Sequence, residues 1–299
     1  RLVMNDAITS ANHLMMTTTK NRSLDKVVCS ENVALSDQSG SVHCETLTVT
    51  FDKDSEGSSS PSLAIASGEV KVIGENQTLW ANEVQVSFEK SVPKARTSND
   101  TFSKESHAKE LYAKGDIQIL LSDGGRAFCN ELVGNIAEEN ATLTGNVVIA
   151  YQRMLMHHGE SAVLTLDHNS GKGKWAGGGQ ALFLNTPFNT THDNRIARPT
   201  IQLSENKSSD NAISMRTDWS EEMNIDQHAN SGAGAIELLG DVQILSKQDE
   251  YQRSKVTSKN LRLVFAKPTA KNTQKNTDAR ELKKVIAIRG AKIEHRTKD

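Results

Sequence analysis

The run His157-His158-Gly159-Glu160 is the first place where residue type and spacing could hold a metal ion. Neighbouring residues on a strand point to opposite faces, so the two imidazoles would not reach one ion, and the run reads as a surface turn. Gly171-Lys172-Gly173-Lys174-Trp175-Ala176-Gly177-Gly178-Gly179 has the look of a phosphate cradle. It lacks the Gly-x4-Gly-Lys-[Ser/Thr] spacing and no helical pattern follows it, so it reads as a hairpin turn. Lys172 and Lys174 are its candidate contacts to a phosphate group. Asp218, Glu221, Glu222 and Asp226 form an acidic stretch that reads as solvated surface rather than a paired acid and base. Cys29, Cys44 and Cys129 fit no metal-binding spacing and read as buried reduced thiols, with pairing of Cys29 and Cys44 left open. No Gly-x-Ser-x-Gly elbow and no Cys–His arrangement occurs. The expectation is a protein without catalytic residues, metal or cofactor.

Composition agrees with a polar β-protein. The chain has 299 residues, 36% hydrophobic and 24% charged, with aromatics at 4%. A sheet with one wet face and one buried face reads this way. The formal charge of -2 and the interspersed signs give no reason to expect nucleic acid as a partner. No apolar run approaches the roughly 20 residues that span a bilayer as a helix. The sequence begins at Arg1 without an initiator Met and reads as part of a longer protein, with room for a membrane anchor before Arg1.

The elements that would position any site emerge from self-similarity. Five phrases place a glycine before alternating apolar residues: Gly68-Glu69-Val70-Lys71-Val72, Gly115-Asp116-Ile117-Gln118-Ile119, Gly145-Asn146-Val147-Val148-Ile149, Gly240-Asp241-Val242-Gln243-Ile244 and Gly290-Ala291-Lys292-Ile293. A sixth, degenerate copy is Glu31-Asn32-Val33-Ala34-Leu35, with Glu31 in place of the glycine. Apolar residues two apart share one face of a strand. A glycine inside such a strand marks a bulge, bend or turn. A return strand follows most copies, as in Ala81–Phe88, Cys44–Phe51, Ala162–Asp167 and Ser258–Phe265. Polar turns such as Gly74–Gln77 and Ser122–Gly125 join the halves. The expected fold class is all-β, a set of repeated strand-turn-strand units.

Four stretches break the pattern. Asp54–Ser62, Pro93–Lys104 and Lys267–Glu281 read as loops, and Pro187–Asp210 reads as a linker. A boundary near Asn185 gives a first β-domain over 1–184 and a second β-region over 185–299.

The repeated Gly-[Asp/Glu/Asn]-Val-x-[Val/Ile] phrases with their return strands resemble the OstA-like family of periplasmic lipopolysaccharide-transport proteins. The run from Gly68 to Phe88 is the best match; next is Ala141–Ile149 with Gly159–Leu166. The resemblance covers about 27–183 well and 235–295 in patches. It implies a folded-over antiparallel sheet, the β-jellyroll or β-taco, open along one side. It implies a lipid-binding inner face, for which the candidates are Val70, Val72, Val84, Val86, Phe88, Ile117, Ile119, Leu132, Val147, Ile149, Leu164 and Leu166, with Val242, Ile244, Leu261 and Leu263 in the later units. It further implies acyl chains of lipopolysaccharide or a related lipid as ligand, edge-strand contacts with itself or other transport proteins, a periplasmic location and a role in outer-membrane biogenesis. The competing reading is a structural β-solenoid whose apolar interior is a closed core. A carbohydrate-active β-helix would need a cluster of acids on one outer face, which the sequence does not offer.

Overall fold

The computed structural model describes residues 2–4, 7–19, 23–53, 59–90, 106–122, 124–151, 153–157, 161–184, 194–199, 213–229, 234–247, 252–265 and 282–297. The elements are strands: β1 Leu2–Met4, β2 Ala7–Ser10, β3 His13–Thr18, β4 Leu24–Ser36, β5 Gly40–Lys53, β6 Ser59–Gly74, β7 Gln77–Lys90, β8 Ser106–Leu121, β9 Arg126–Asn135, β10 Asn140–Thr144, β11 Val148–Tyr151, β12 Met154–His157, β13 Val163–Asp167, β14 Lys172–Ala176, β15 Gly179–Leu184, β16 Ile213–Trp219, β17 Glu222–Asp226, β18 Ala235–Lys247, β19 Gln252–Phe265, β20 Leu282–Ile288 and β21 Lys292–Thr297. The strand pairings described below are antiparallel. The fold is all-β and built from repeated strand-turn-strand units.

Contacts group the chain into two compact units: Arg1–Ser122 with Asn130–Glu139, and Asp123–Cys129 with Asn140–Asp299. The boundary expected near Asn185 follows the end of β15 and lies inside the second unit. The loops expected over Pro93–Lys104 and Lys267–Glu281 lie outside the described residues. Of Asp54–Ser62, Ser59–Ser62 belong to β6 and pair with β5, Pro61 standing opposite Phe51 at a register shift, where its missing N–H is tolerated.

In the first unit, β4 to β8 form consecutive pairs, and one feature recurs where the glycine phrases fall. Two residues on one strand oppose one on the next. Glu31 and Asn32 face Glu45 between β4 and β5. Gly68 and Glu69 face Asn82 between β6 and β7. Both residues of each pair have positive φ, 64° and 55° at Glu31 and Asn32, 78° and 45° at Gly68 and Glu69. Gly115 and Asp116 repeat this at 81° and 46° on β8. Such a bulge bends its strand sharply, and here the bends line up across the sheet.

In the second unit paired residues with positive φ occur at Gly145–Asn146 and Gly240–Asp241, and at Arg289–Gly290, one residue earlier than the sequence phrase placed it. The bends separate two half-sheets. On one side run β10, β13, β14, β17 and the first half of β18; on the other run β11, β12, β15, β16 and its second half. β19 then pairs with β20 on one side and β21 on the other. A single long strand therefore serves both halves, and the sheet folds over at its bulge.

The linker expected over Pro187–Asp210 is corrected at 194–199, the part of it described. This segment packs on the sheet, Ile196 resting on the buried cluster of Phe128, Val148, Ala150 and Leu155. Arg198 donates from Nη2 to the Cys129 carbonyl at 2.9 Å and from Nη1 to the Asn146 carbonyl at 3.2 Å. Arg126 donates to the Asn194 carbonyl at 3.1 Å. The polar composition that suggested a linker supplies the groups that meet carbonyls at a bulge.

Candidate functional site

Strand register converts the alternating residues into rows running across each unit. In the first unit Cys29, Leu47, Ala66, Val84 and Ala113 stand opposite one another in sequence, all buried. Across the bulge line Val33, Cys44, Val70, Ala81 and Ile117 are buried as well. These residues flank the fold and close it with packed side chains. Each fully buried Val, Leu or Ile contributes about 1.5–3 kcal/mol to holding the fold shut.

One step further from the fold, the rows are only half covered. Val27, Val49, Ala64, Val86 and Leu111 form one row and Leu35, Val42, Val72, Leu79 and Ile119 the other. Apart from Val27 and Leu79, their side chains are of intermediate exposure. Phe88, on the same face as Val86, is also half-buried. Leu132 is buried between the exposed Glu131 and Val133.

The second unit repeats the gradient. Next to the fold run Leu143, Leu164, Trp175, Met223, Leu238 and Leu261, all buried. Trp175 meets Trp219 edge to face, with ring centres 6.2 Å apart. The outer row runs Ala141, Leu166, Gly173, Ile225, Ile236, Leu263 and Val285. Leu166 is 40% exposed, against 3% for Leu164 two residues earlier. On the other half-sheet Ile149, Met156, Ala181, Thr217, Ile244, Val256 and Ile293 form a row that is half-buried at Ile149, buried in the middle and 74% exposed at Ile293. Val147 and Val242 are buried beside the bulges.

Sequence reasoning found the alternating candidates but missed Trp175, Met156, Met223 and Leu238. The sequence reads Gly171–Gly179 as one hairpin turn. It is instead the strand β14 between a turn at His168–Gly171 and a second at Gly177–Gly178. The signal was the alternation Gly173-Trp175 between Lys172 and Lys174. Lys174 is held by Glu222 at 2.7 Å.

The polar residues singled out for chemistry do not converge. His157 Nε2 pairs with Gln180 Oε1 at 2.9 Å, and Gln180 donates to Asp218 at 2.7 Å. The rest of that motif, 158–160, lies outside the described residues. Arg216 Nε also meets Asp218. Asp226 accepts the backbone N–H groups of His228 and Ala229 and so closes a turn. Glu222 is held below its ordinary carboxylate range by the Lys174 hydrogen bond and then by Asn224. Glu83 is lowered the same way by Lys114 and Gln85. Among the described residues no group of three or more His, Cys, Asp or Glu is placed to hold a metal.

The three cysteines are free and buried. Burial pushes the Cys129 thiol up to about 12, opposed weakly by Arg198. Burial, with Cys29 nearby, pushes Cys44 up to about 11. Both are therefore protonated, unreactive apolar fillers at neutral pH.

No protein-family model matches the chain, and no curated protein matches it. Among solved structures, the chain is similar to LptH from Pseudomonas aeruginosa, the LptA-homologous periplasmic component of a lipopolysaccharide transport device. That similarity has 9% identity and a TM-score of 0.21, over 54% of this chain and 75% of the other.

Proposed function

We propose that this protein is a non-enzymatic lipid-binding trough that carries acyl chains of lipopolysaccharide or a related lipid through the periplasm. The observation that supports this is the exposure gradient away from the fold. Rows beside the bulges are sealed, whereas aliphatic residues of the same face one step out are half open. A face designed only as a core would be covered throughout.

An acyl chain in water costs about 0.8 kcal/mol per methylene, so a chain of about twelve carbons costs on the order of 10 kcal/mol. Val72, Val86, Phe88, Ile119, Ile149 and Leu166 offer aliphatic and aromatic surface without directional contacts. Such a wall matches a membrane interior and lets a chain slide. The edge strands carry the same face at their ends: Leu14 and Met16 on β3, Val285 on β20 and Ile293 on β21 are exposed. An edge strand offers unpaired backbone groups, so these ends suit strand addition by another copy or another transport protein.

The sealed rows support a second reading, a structural scaffold with a closed core. Native mass spectrometry of protein expressed in a lipopolysaccharide-producing host separates the two. The lipid reading expects a bound species with the mass of a multi-acylated lipid. The scaffold reading expects the bare chain and no displacement of a fluorescent fatty acid.

A further inference from the structure

We propose that the edge formed by β19, β20 and β21 docks on an anionic lipid membrane surface. Over 252–265 and 282–297 the chain has nine Lys and Arg and a single acid, Glu294. The formal charge of the whole chain is -2, so an even overall balance conceals one strongly basic stretch. The fold gathers that stretch on neighbouring strands, since β20 and β21 both pair with β19.

Register decides where the charges go. Val256 stands opposite Ile293, and Leu263 opposite Val285, on the face of the aliphatic rows. Lys255, Ile293's neighbour Lys292, Arg262 and Lys284 each adjoin one of these four in sequence, so they point to the opposite face. Arg289 lies in the turn that joins β20 to β21. Lys284, Arg289 and Lys292 are exposed. Among the described residues Lys284 and Arg289 have no carboxylate partner, whereas Lys292 meets Glu294 at 2.6 Å.

Aliphatic side chains stand exposed among these cations: Ile293 at 74%, Val285 at 45% and Ile288 at 38%. A soluble polyanion would neutralise the cations and leave these residues in water. A lipid surface answers both, with phosphate headgroups for the cations and the acyl boundary for the aliphatics. The edge strand β3 gives the contrast. It exposes Leu14, Met15 and Met16 but has no Lys, Arg, Asp or Glu, so it lacks the attraction and remains suited to strand addition.

Attachment of this kind holds whether or not an acyl chain enters the trough. Cosedimentation of the full chain with vesicles of mixed phosphatidylglycerol and phosphatidylcholine tests it, with pure phosphatidylcholine as the neutral comparison. The chain should pellet with the mixed vesicles at low salt, stay in solution with the neutral ones, and be released as salt rises. Each Lys or Arg near such a surface strengthens attachment about fivefold, so the double variant Lys284→Gln and Arg289→Gln should bind about 25-fold more weakly. Its fatty-acid binding and urea midpoint should be unchanged. Ile293→Ser should weaken attachment about tenfold, through loss of an inserted aliphatic. Equal pelleting with both kinds of vesicle overturns the proposal, as does full binding by the double variant. Attachment indifferent to Ile293→Ser would be a plain counter-ion effect and overturns it too. So does a dimer that forms without vesicles and is lost in these variants, which would make the edge an interface between copies. Fatty-acid binding is read separately, so none of these outcomes decides the trough reading.

Discussion

Gly68 lies so close to Glu45 that a methyl group in place of its hydrogen would meet the Glu45 side chain from its Cβ to its carboxylate. Gly115 stands in the same relation to Asn82. The single residue on one strand fills the space where the doubled residue on its neighbour has no side chain. Gly290, in the last bulge, has no atom within this reach.

These three glycines therefore separate two costs. Gly290→Ala should lose only the backbone penalty of positive φ, about 1–2 kcal/mol. Gly68→Ala and Gly115→Ala should lose that and the clash, and should be measurably worse. Urea midpoints of the three variants check the order; equal values would dismiss steric closure of the fold.

Leu164 and Leu166 share a face but not an environment. Leu164→Ala should cost about 2–5 kcal/mol, as for a buried aliphatic. Leu166→Asp should change stability by less than about 1 kcal/mol while abolishing binding of a fluorescent fatty acid. Retained binding in Leu166→Asp would remove this residue from the proposed trough.

The buried thiols give a pH dependence with a definite sign. In the folded chain Cys129 and Cys44 stay protonated up to about 12 and about 11, whereas the unfolded chain releases those protons near 9. The unfolded state then binds fewer protons, so stability present below pH 9 falls as pH rises through the folded values. Urea unfolding at pH 8 and pH 10 should show the drop, and Cys129→Ala should flatten it. At pH 8 maleimide should label these thiols only after denaturation.

Arg198 holds two carbonyls, that of Asn146 in the bulge and that of Cys129 on β9. Arg198→Ala leaves both without this donor and should cost about 1.5–3 kcal/mol. Hydrogen exchange should rise over 194–199 and at Val148, Ala150 and Leu155. Unchanged protection there would mean that Arg198 does not hold the segment.

Much of the architecture was written in short patterns. The doubled residues with positive φ fall at the glycine phrases, including Glu31, where the glycine is missing. The alternation of Val70 with Val72, and of Val84 with Val86, placed each pair on one face because a strand has a period of two. What stayed hidden was whatever depends on neighbours distant in sequence. Leu164 and Leu166 look alike in the chain, and only the strands around them decide that one is sealed and the other open. Trp175 was masked by the glycines beside it, which read as a turn. The 194–199 segment carries no periodicity, since its contacts are made by one aliphatic side chain and by arginines reaching carbonyls.

The recurring bulge has a consequence for how such a protein changes size. Because the doubled residues recur on β4, β6 and β8 of the first unit, duplicating or deleting a hairpin there alters the width of the sheet and leaves the place of the bend along each strand untouched. Each added hairpin widens the sheet by two strand spacings, about 10 Å. Reach thus becomes a quantity that gene duplication can adjust in fixed increments, like the divisions of a ruler.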